Sequence, residues 1–198
     1  MDIEQLTTNA LNVFAALEPS ADNEYAYVQY SHKQFMRQKL SVHVDRIEKI
    51  ANEFPAGVTV LDLGSGSGLL EWAAKQLGAN INVKSFTKVL DINNPYSRYN
   101  DAAVALGVEL GYYDGDIFSD KIDLGIGTVD IVVFTHVPSP TVDVNGDPIR
   151  PSVKPLELNI ELVDNITSSD FWGSNTKLLS DRSMNNDTLV KYGKRILT

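Results

Sequence analysis

Between Val58 and Gly68 the chain reads V-T-V-L-D-L-G-S-G-S-G, and it runs on through Leu69, Leu70, Trp72, Ala73 and Ala74. Val58, Val60, Leu61 and Leu63 have the β-branched and aliphatic character of a short strand, and the residues after Gly68 keep helical spacing as far as Leu77. A strand must therefore pass into a helix through three glycines. Gly64, Gly66 and Gly68 tolerate positive φ and let a ligand approach the backbone. The helix start then turns unpaired N–H groups towards that ligand. This is the pattern of a nucleotide-type pocket at the edge of an α/β sheet.

A chain of 198 residues accommodates one such domain with a substantial core, burying roughly 70% of its unfolded surface. Hydrophobic residues at 43% and charged residues at 22% are ordinary for a globular protein. No apolar run approaches a membrane span. The start Met1, Asp2, Glu4 lacks the basic and apolar regions of a signal peptide, so the expected location is cytoplasmic. Cysteine is absent, which excludes disulfides and thiolate metal sites, and three scattered histidines give no metal site. A net charge of −9 argues against broad attraction to nucleic acid, although Lys33, Arg37 and Lys39 would make a local basic groove.

In chain order, Ile3, Leu6, Leu11, Phe14 and Leu17 predict a first helix that ends near Pro19. Ser31 is the expected N-cap of a second, from His32 to Phe54. Residues 1–56 thus read as a helical cover and 57–198 as the sheet domain, within one structural unit. Tyr25 to Lys39 has two readings, plain cover or a lid over the site. Past the glycine loop, a helix over Glu71 to Leu77 is expected to end at Gly78 in a left-handed cap. A second strand is expected at Lys88 to Ile92, a short helix at Asn100 to Leu106, a third strand at Val108 to Tyr113, and a buried fourth at Val129 to Thr135. The proline-punctuated stretch 138–155 reads as a loop with Arg150 and Lys154 as candidate acceptor contacts. A helix near Pro155 to Ile166, a fifth strand opening at Lys177 to Leu179 and a last helix over Asp187 to Ile196 complete the reading.

The dinucleotide fingerprint G-x-G-x-x-G would need glycine at position 69, which is Leu69. The spacing G-x-G-x-G after an acid, V-L-D-L-G-S-G-S-G, instead resembles the first motif of the Rossmann-like S-adenosylmethionine-dependent methyltransferases. The resemblance implies an α/β fold with a mostly parallel sheet and helices on both faces, here shortened at the C-terminus. It implies S-adenosylmethionine as cofactor, held by Asp62, Gly64, Ser65, Gly66 and Gly68, with Asp91 and Ile92 at the ribose. The string G-D-I-F resembles the segment of that family in which an acid receives the adenine amino group and an apolar residue packs on the ring, roles that fall to Asp116 and Ile117.

The end of the fourth strand faces the transferred methyl group in that family, and here it delivers Thr135, His136, Val137 and Pro138. The stretch resembles the amide and adenine N-methyltransferases but lacks their N-P-P-Y. It is also similar to the ribose 2′-O-methyltransferases, in which Lys33 or Lys39 would stand for the first lysine, His136 occupies the aspartate position and Lys177 lies at the fifth strand. His136 has two readings, a proton acceptor for the methyl acceptor or a loop histidine bound to backbone. The functional expectation is methyl transfer to a protein, nucleic-acid or small-molecule acceptor. The alternative is an inactive methyltransferase fold acting as a binding subunit, with a partner or second copy covering an incomplete sheet edge.

Overall fold

The computed structural model describes residues 1–17, 32–88, 99–114, 117, 120–134, 158–180 and 184–197. The first helix, α1 (Ile3–Phe14), is capped by Asp2, whose side chain accepts from the Gln5 N–H at 2.8 Å. The second, α2 (Lys33–Glu53), takes His32 rather than Ser31 as its N-cap, through a long 3.4 Å bond from the Phe35 N–H to Nδ1. Ser31 lies outside the described residues.

Among the described residues six parallel strands form one sheet in the order β3-β2-β1-β4-β5-β6. They are β1 (Val58–Leu63), β2 (Ile81–Lys88), β3 (Leu110–Tyr113), β4 (Val129–Phe134), β5 (Trp172–Leu179) and the two-residue β6 (Ile196–Leu197). Between them lie α3 (Leu69–Leu77), α4 (Tyr99–Leu106), α5 (Ile160–Ser168) and α6 (Asn186–Tyr192). This is the doubly wound, Rossmann-like α/β arrangement expected from the sequence. Two cores sit on its two faces. Leu6, Ala10, Met36, Leu40, Ile47 and Ile50 of the N-terminal helices pack with Val60, Leu70, Ile131 and Val133 on one face. Leu61, Leu63, Val132 and Phe134 meet Leu162, Val163 and Ile166 of α5 on the other.

Several elements differ from expectation. The second strand starts at Ile81, seven residues before Lys88, where expectation put its start. Its segment I-N-V-K-S-F-T-K hides the strand because two of its inward positions are the hydroxyl residues Ser85 and Thr87, which are fully buried all the same. The fifth strand begins at Trp172 and carries Gly173, Ser174 and Asn175 before its apolar end. Helix α6 stops at Tyr192, a 3₁₀ turn follows at Gly193–Arg195, and Ile196 is buried as a strand residue pairing with Leu178. The described sheet closes on this short parallel strand.

Among the described residues no helix is long and apolar enough to cross a membrane. No group of three or more His, Asp or Glu residues there is arranged to hold a metal.

Candidate functional site

The strand order reverses at β1, which has β2 on one side and β4 on the other. In open parallel sheets the crevice at the carboxyl end of such a switch point is where ligands lodge. Here that edge carries the glycine loop. Gly64, Gly66 and Gly68 have φ of 82°, 58° and 77°, so each occupies the left-handed region that the sequence assigned to glycine. The Gly64 and Ser65 N–H groups both donate to the Phe86 carbonyl of β2 at 2.9 Å, tying the loop to the neighbouring strand.

The three glycines do different work. A Cβ at Gly68 would stand 2.5 Å from Val108 Cγ1, so this glycine is there for close packing of the start of α3 against the turn between α4 and β3 rather than for a ligand. A Cβ at Gly66 would lie 3.3 Å from the Tyr99 ring at the start of α4. Tyr99 thus covers the loop at its middle glycine.

Asp62, the penultimate residue of β1, is 1% exposed and lies beside Ser85 of β2 and Val133 of β4. Among the described residues its Oδ2 has no hydrogen-bond partner, and neither do Ser65 Oγ in the loop and Thr87 Oγ1 near the end of β2. A buried polar atom left unpaired costs about 1–3 kcal/mol, so three of them around one loop require explanation. Strand alternation puts Asp62, Ser85 and Thr87 on the α3 face of the sheet. Burial pushes the Asp62 carboxyl up to about 7, with the Arg46 cation opposing the rise and the Glu71 anion adding to it. Glu71, in the first turn of α3, is better served: Oε2 accepts from Ser85 Oγ at 2.9 Å and Oε1 from Lys75 Nζ at 2.7 Å.

Of the residues singled out in the sequence, Asp62, Gly64, Ser65, Gly66 and Gly68 are therefore together at the sheet edge. Ile117 is buried in the second core, and its carbonyl accepts from Asn165 Nδ2 at 3.1 Å. Asp91, Ile92, Asp116 and His136 lie outside the described residues, as do Tyr25, Arg150 and Lys154. The expected basic groove is divided. Lys33 and Arg37 are both paired with Glu4 of α1. Lys39 lies elsewhere on α2, with Nζ 4.9 Å from the centre of the Phe35 ring. Lys177 sits within β5 rather than at its start and donates to the Lys194 carbonyl at 2.8 Å.

Sequence reasoning missed Thr87, Glu71 and Arg46. For Thr87 the lost signal was the misplaced second strand. Glu71 and Arg46 read as ordinary polar positions on amphipathic helices, because nothing local marks a charge that will be buried.

No family model matches the chain, and a search of curated proteins finds no match. Solved structures similar to it include YjhP from E. coli, 19% identical over 45% of this chain and 35% of that one, with a TM-score of 0.29. The small RNA methyltransferase HEN1 is 21% identical over 51% of this chain and 12% of its own, TM-score 0.35. The precorrin-6y C5,15-methyltransferase from Geobacter metallireducens GS-15 is 14% identical over 78% of this chain and 68% of its own, TM-score 0.39. The chain spans about a third of the length of the first and about an eighth of the second. Likeness at this level says nothing of what this chain binds or does.

Proposed function

We propose that the chain is an S-adenosylmethionine-dependent methyltransferase of the Rossmann-like class. The observation that carries the reading is a buried carboxylate with an unpaired oxygen, Asp62 Oδ2, at the root of a G-x-G-x-G loop on the switch-point edge of a parallel sheet. The unpaired Ser65 and Thr87 hydroxyls beside it fit a polar, hydrogen-bonding ligand better than a dry cavity.

Asp62, Gly64, Ser65 and Gly66 would hold the cofactor, in a loop that Gly68 closes by its packing, joined by Asp91, Ile92 and Asp116 from the segments that follow β2 and β3. Ile117 would pack on its adenine ring. When bound, this cofactor supplies an electrophilic methyl group on a sulfonium sulfur. The chain's own part is then to align the acceptor, keep water out and receive a proton. Tyr99, already against the loop, shields it from solvent. His136, two residues past the end of β4, is the proposed proton acceptor, since imidazole titrates near neutrality. The acceptor is a protein, a nucleic acid or a small molecule. The acidic balance of the chain favours an uncharged or cationic partner over a long polyanion.

The sheet order is also that of dinucleotide-binding domains, so the deciding experiment sets the two cofactors against each other. Calorimetric titration with S-adenosylmethionine, S-adenosylhomocysteine and NAD is expected to show binding of the first two alone. Binding of NAD alone would transfer the site to hydride chemistry. Cofactor binding without methyl transfer to any acceptor pool would favour the binding-subunit alternative, and no binding at all would refute the pocket.

A further inference from the structure

Gly64, Ser65 and Gly68 have backbone partners inside the fold. The first two spend their N–H groups on the Phe86 carbonyl at 2.9 Å, and the Gly68 N–H donates to the Ser65 carbonyl at 3.1 Å. Gly68 is also pressed against Val108, so a ligand that uses this loop meets it at its middle. There Gly66 follows Ser65, whose hydroxyl is unpaired among the described residues. The middle is also where Tyr99 sits.

How it sits follows from three distances. A Cβ at Gly66 would lie 3.3, 3.4 and 3.6 Å from Cε1, Cζ and Cδ1 of Tyr99. These are three successive ring atoms at nearly one distance, which places the point above the ring's face, because an approach to the edge brings one carbon clearly nearer than its neighbours. The Gly66 α-carbon stands one bond of about 1.5 Å further back, whereas a ligand atom lodged between backbone and ring needs roughly 3.5 Å on either side. Ring and ligand therefore exclude each other at Gly66.

The ring is the part that yields. Asn100, the next residue of α4, accepts from the Tyr112 hydroxyl of β3 at 3.0 Å, and Ala102, Ala103 and Leu106 are buried in the first core, so the backbone at Tyr99 is held. Tyr99 itself is half-buried at the margin of that core, and rotation about its Cα–Cβ bond carries the ring off Gly66 without moving the helix.

We propose that Tyr99 is a gate on the glycine loop: its ring and a bound ligand compete for the face of Gly66, and the ligand enters as the ring swings out. The proposal deepens the pocket reading above and rests on it for the ligand. The ring that keeps water off the loop thus weakens the binding of whatever lies there, by the fraction of time it is docked.

The first arm of the test needs no ligand. With glycine labelled by ¹³C and the Gly66 resonances assigned, the Hα that points into the ring face is expected upfield through the ring current. Tyr99→Leu should return it to the ordinary glycine range, while Tyr99→Phe keeps it shifted. No difference between the parent chain and Tyr99→Leu would overturn the contact and the gate with it.

The second arm adds S-adenosylhomocysteine. In the parent chain saturation should abolish the upfield shift, and Tyr99→Leu should bind about tenfold more tightly, the factor for a site open a tenth of the time. A shift that persists in the saturated parent, or equal or weaker binding in Tyr99→Leu, would overturn the gate and leave the pocket standing, with Tyr99 as a wall. A merely structural role would lower the unfolding midpoint of Tyr99→Leu in denaturant without tightening binding. If that variant does not fold, Tyr99→Val is read the same way, and the spectrum of the saturated parent needs no variant at all. Binding by neither chain would refute the pocket reading, and the gate with it.

Discussion

The two ends of the sheet treat their polar groups in opposite ways. At the amino end of β4 and β5 nearly every one is paired within the chain. Asp170 accepts from the Leu124 and Gly125 N–H groups at 2.8 and 2.6 Å, and Ser169 Oγ accepts from Ile122 N–H while donating to the Asn165 carbonyl. Thr176 Oγ1 donates to the Val129 carbonyl, and Arg195 donates to the carbonyls of Gly173 and Thr176. The exception there is Trp172 Nε1, although its ring lies 4.6 Å beneath the Arg195 guanidinium. At the carboxyl end of β1 and β2, Asp62, Ser65 and Thr87 carry buried polar atoms that meet nothing among the described residues. Paired groups hold elements together; unpaired ones at the strand ends keep capacity for a ligand. The difference separates scaffold from candidate site.

The severest test of this division is Gly68→Ala. The φ of 77° and the 2.5 Å approach to Val108 predict a loss of about 2–4 kcal/mol, summing left-handed strain and overpacking. Chemical denaturation measures it, and a loss below about 1 kcal/mol would return Gly68 to a role at the ligand.

Asp62→Asn should behave in reverse, abolishing most cofactor affinity while leaving the chain as stable or more so at neutral pH. The pH dependence gives the sign. A carboxyl raised to about 7 in the folded state binds its proton more tightly there than when unfolded, so stability falls as pH rises from about 4 to about 7. Replacing Asp62 removes that decline.

Asp164 supplies the opposite slope. Its carboxylate is held below the usual range by Lys191 and then Tyr192, which both donate to it, so its contribution is present above the unfolded value and is lost on acidification. Unfolding midpoints of Asp62→Asn and Asp164→Asn across pH 3 to 8 should therefore diverge from the parent in opposite directions. Parallel profiles would break the comparison.

Thr176→Val, at the scaffold end, should cost about 1–3 kcal/mol by leaving the Gly173 N–H and Val129 carbonyl short of a partner. Cofactor binding should be unchanged. Smallest is Asn159→Ala, which removes the α5 cap to the Leu162 N–H at 2.9 Å and should cost about 1 kcal/mol. A change in cofactor affinity in either variant would show that the two ends are not independent.

The sequence by itself determined what is local. V-T-V-L-D-L-G-S-G-S-G dictated strand, turn and helix, because each step depends on neighbours a few residues away, and the left-handed glycines and the Gly78 cap followed with it. The apolar run V-D-I-V-V-F likewise announced a strand buried on both faces. Tertiary structure decided the rest. Ile81–Lys88 became a strand despite Ser85 and Thr87, because β1 and β3 pair with it on either side, and α3 brings Glu71 to the Ser85 hydroxyl. Ile196 left its helical spacing because β5 offered it an edge to pair with. Glu71 was buried against Ser85 only when α3 packed over β2. Burial of a charge depends on what packs over it, and that is settled between residues distant in the chain, where no local pattern records it.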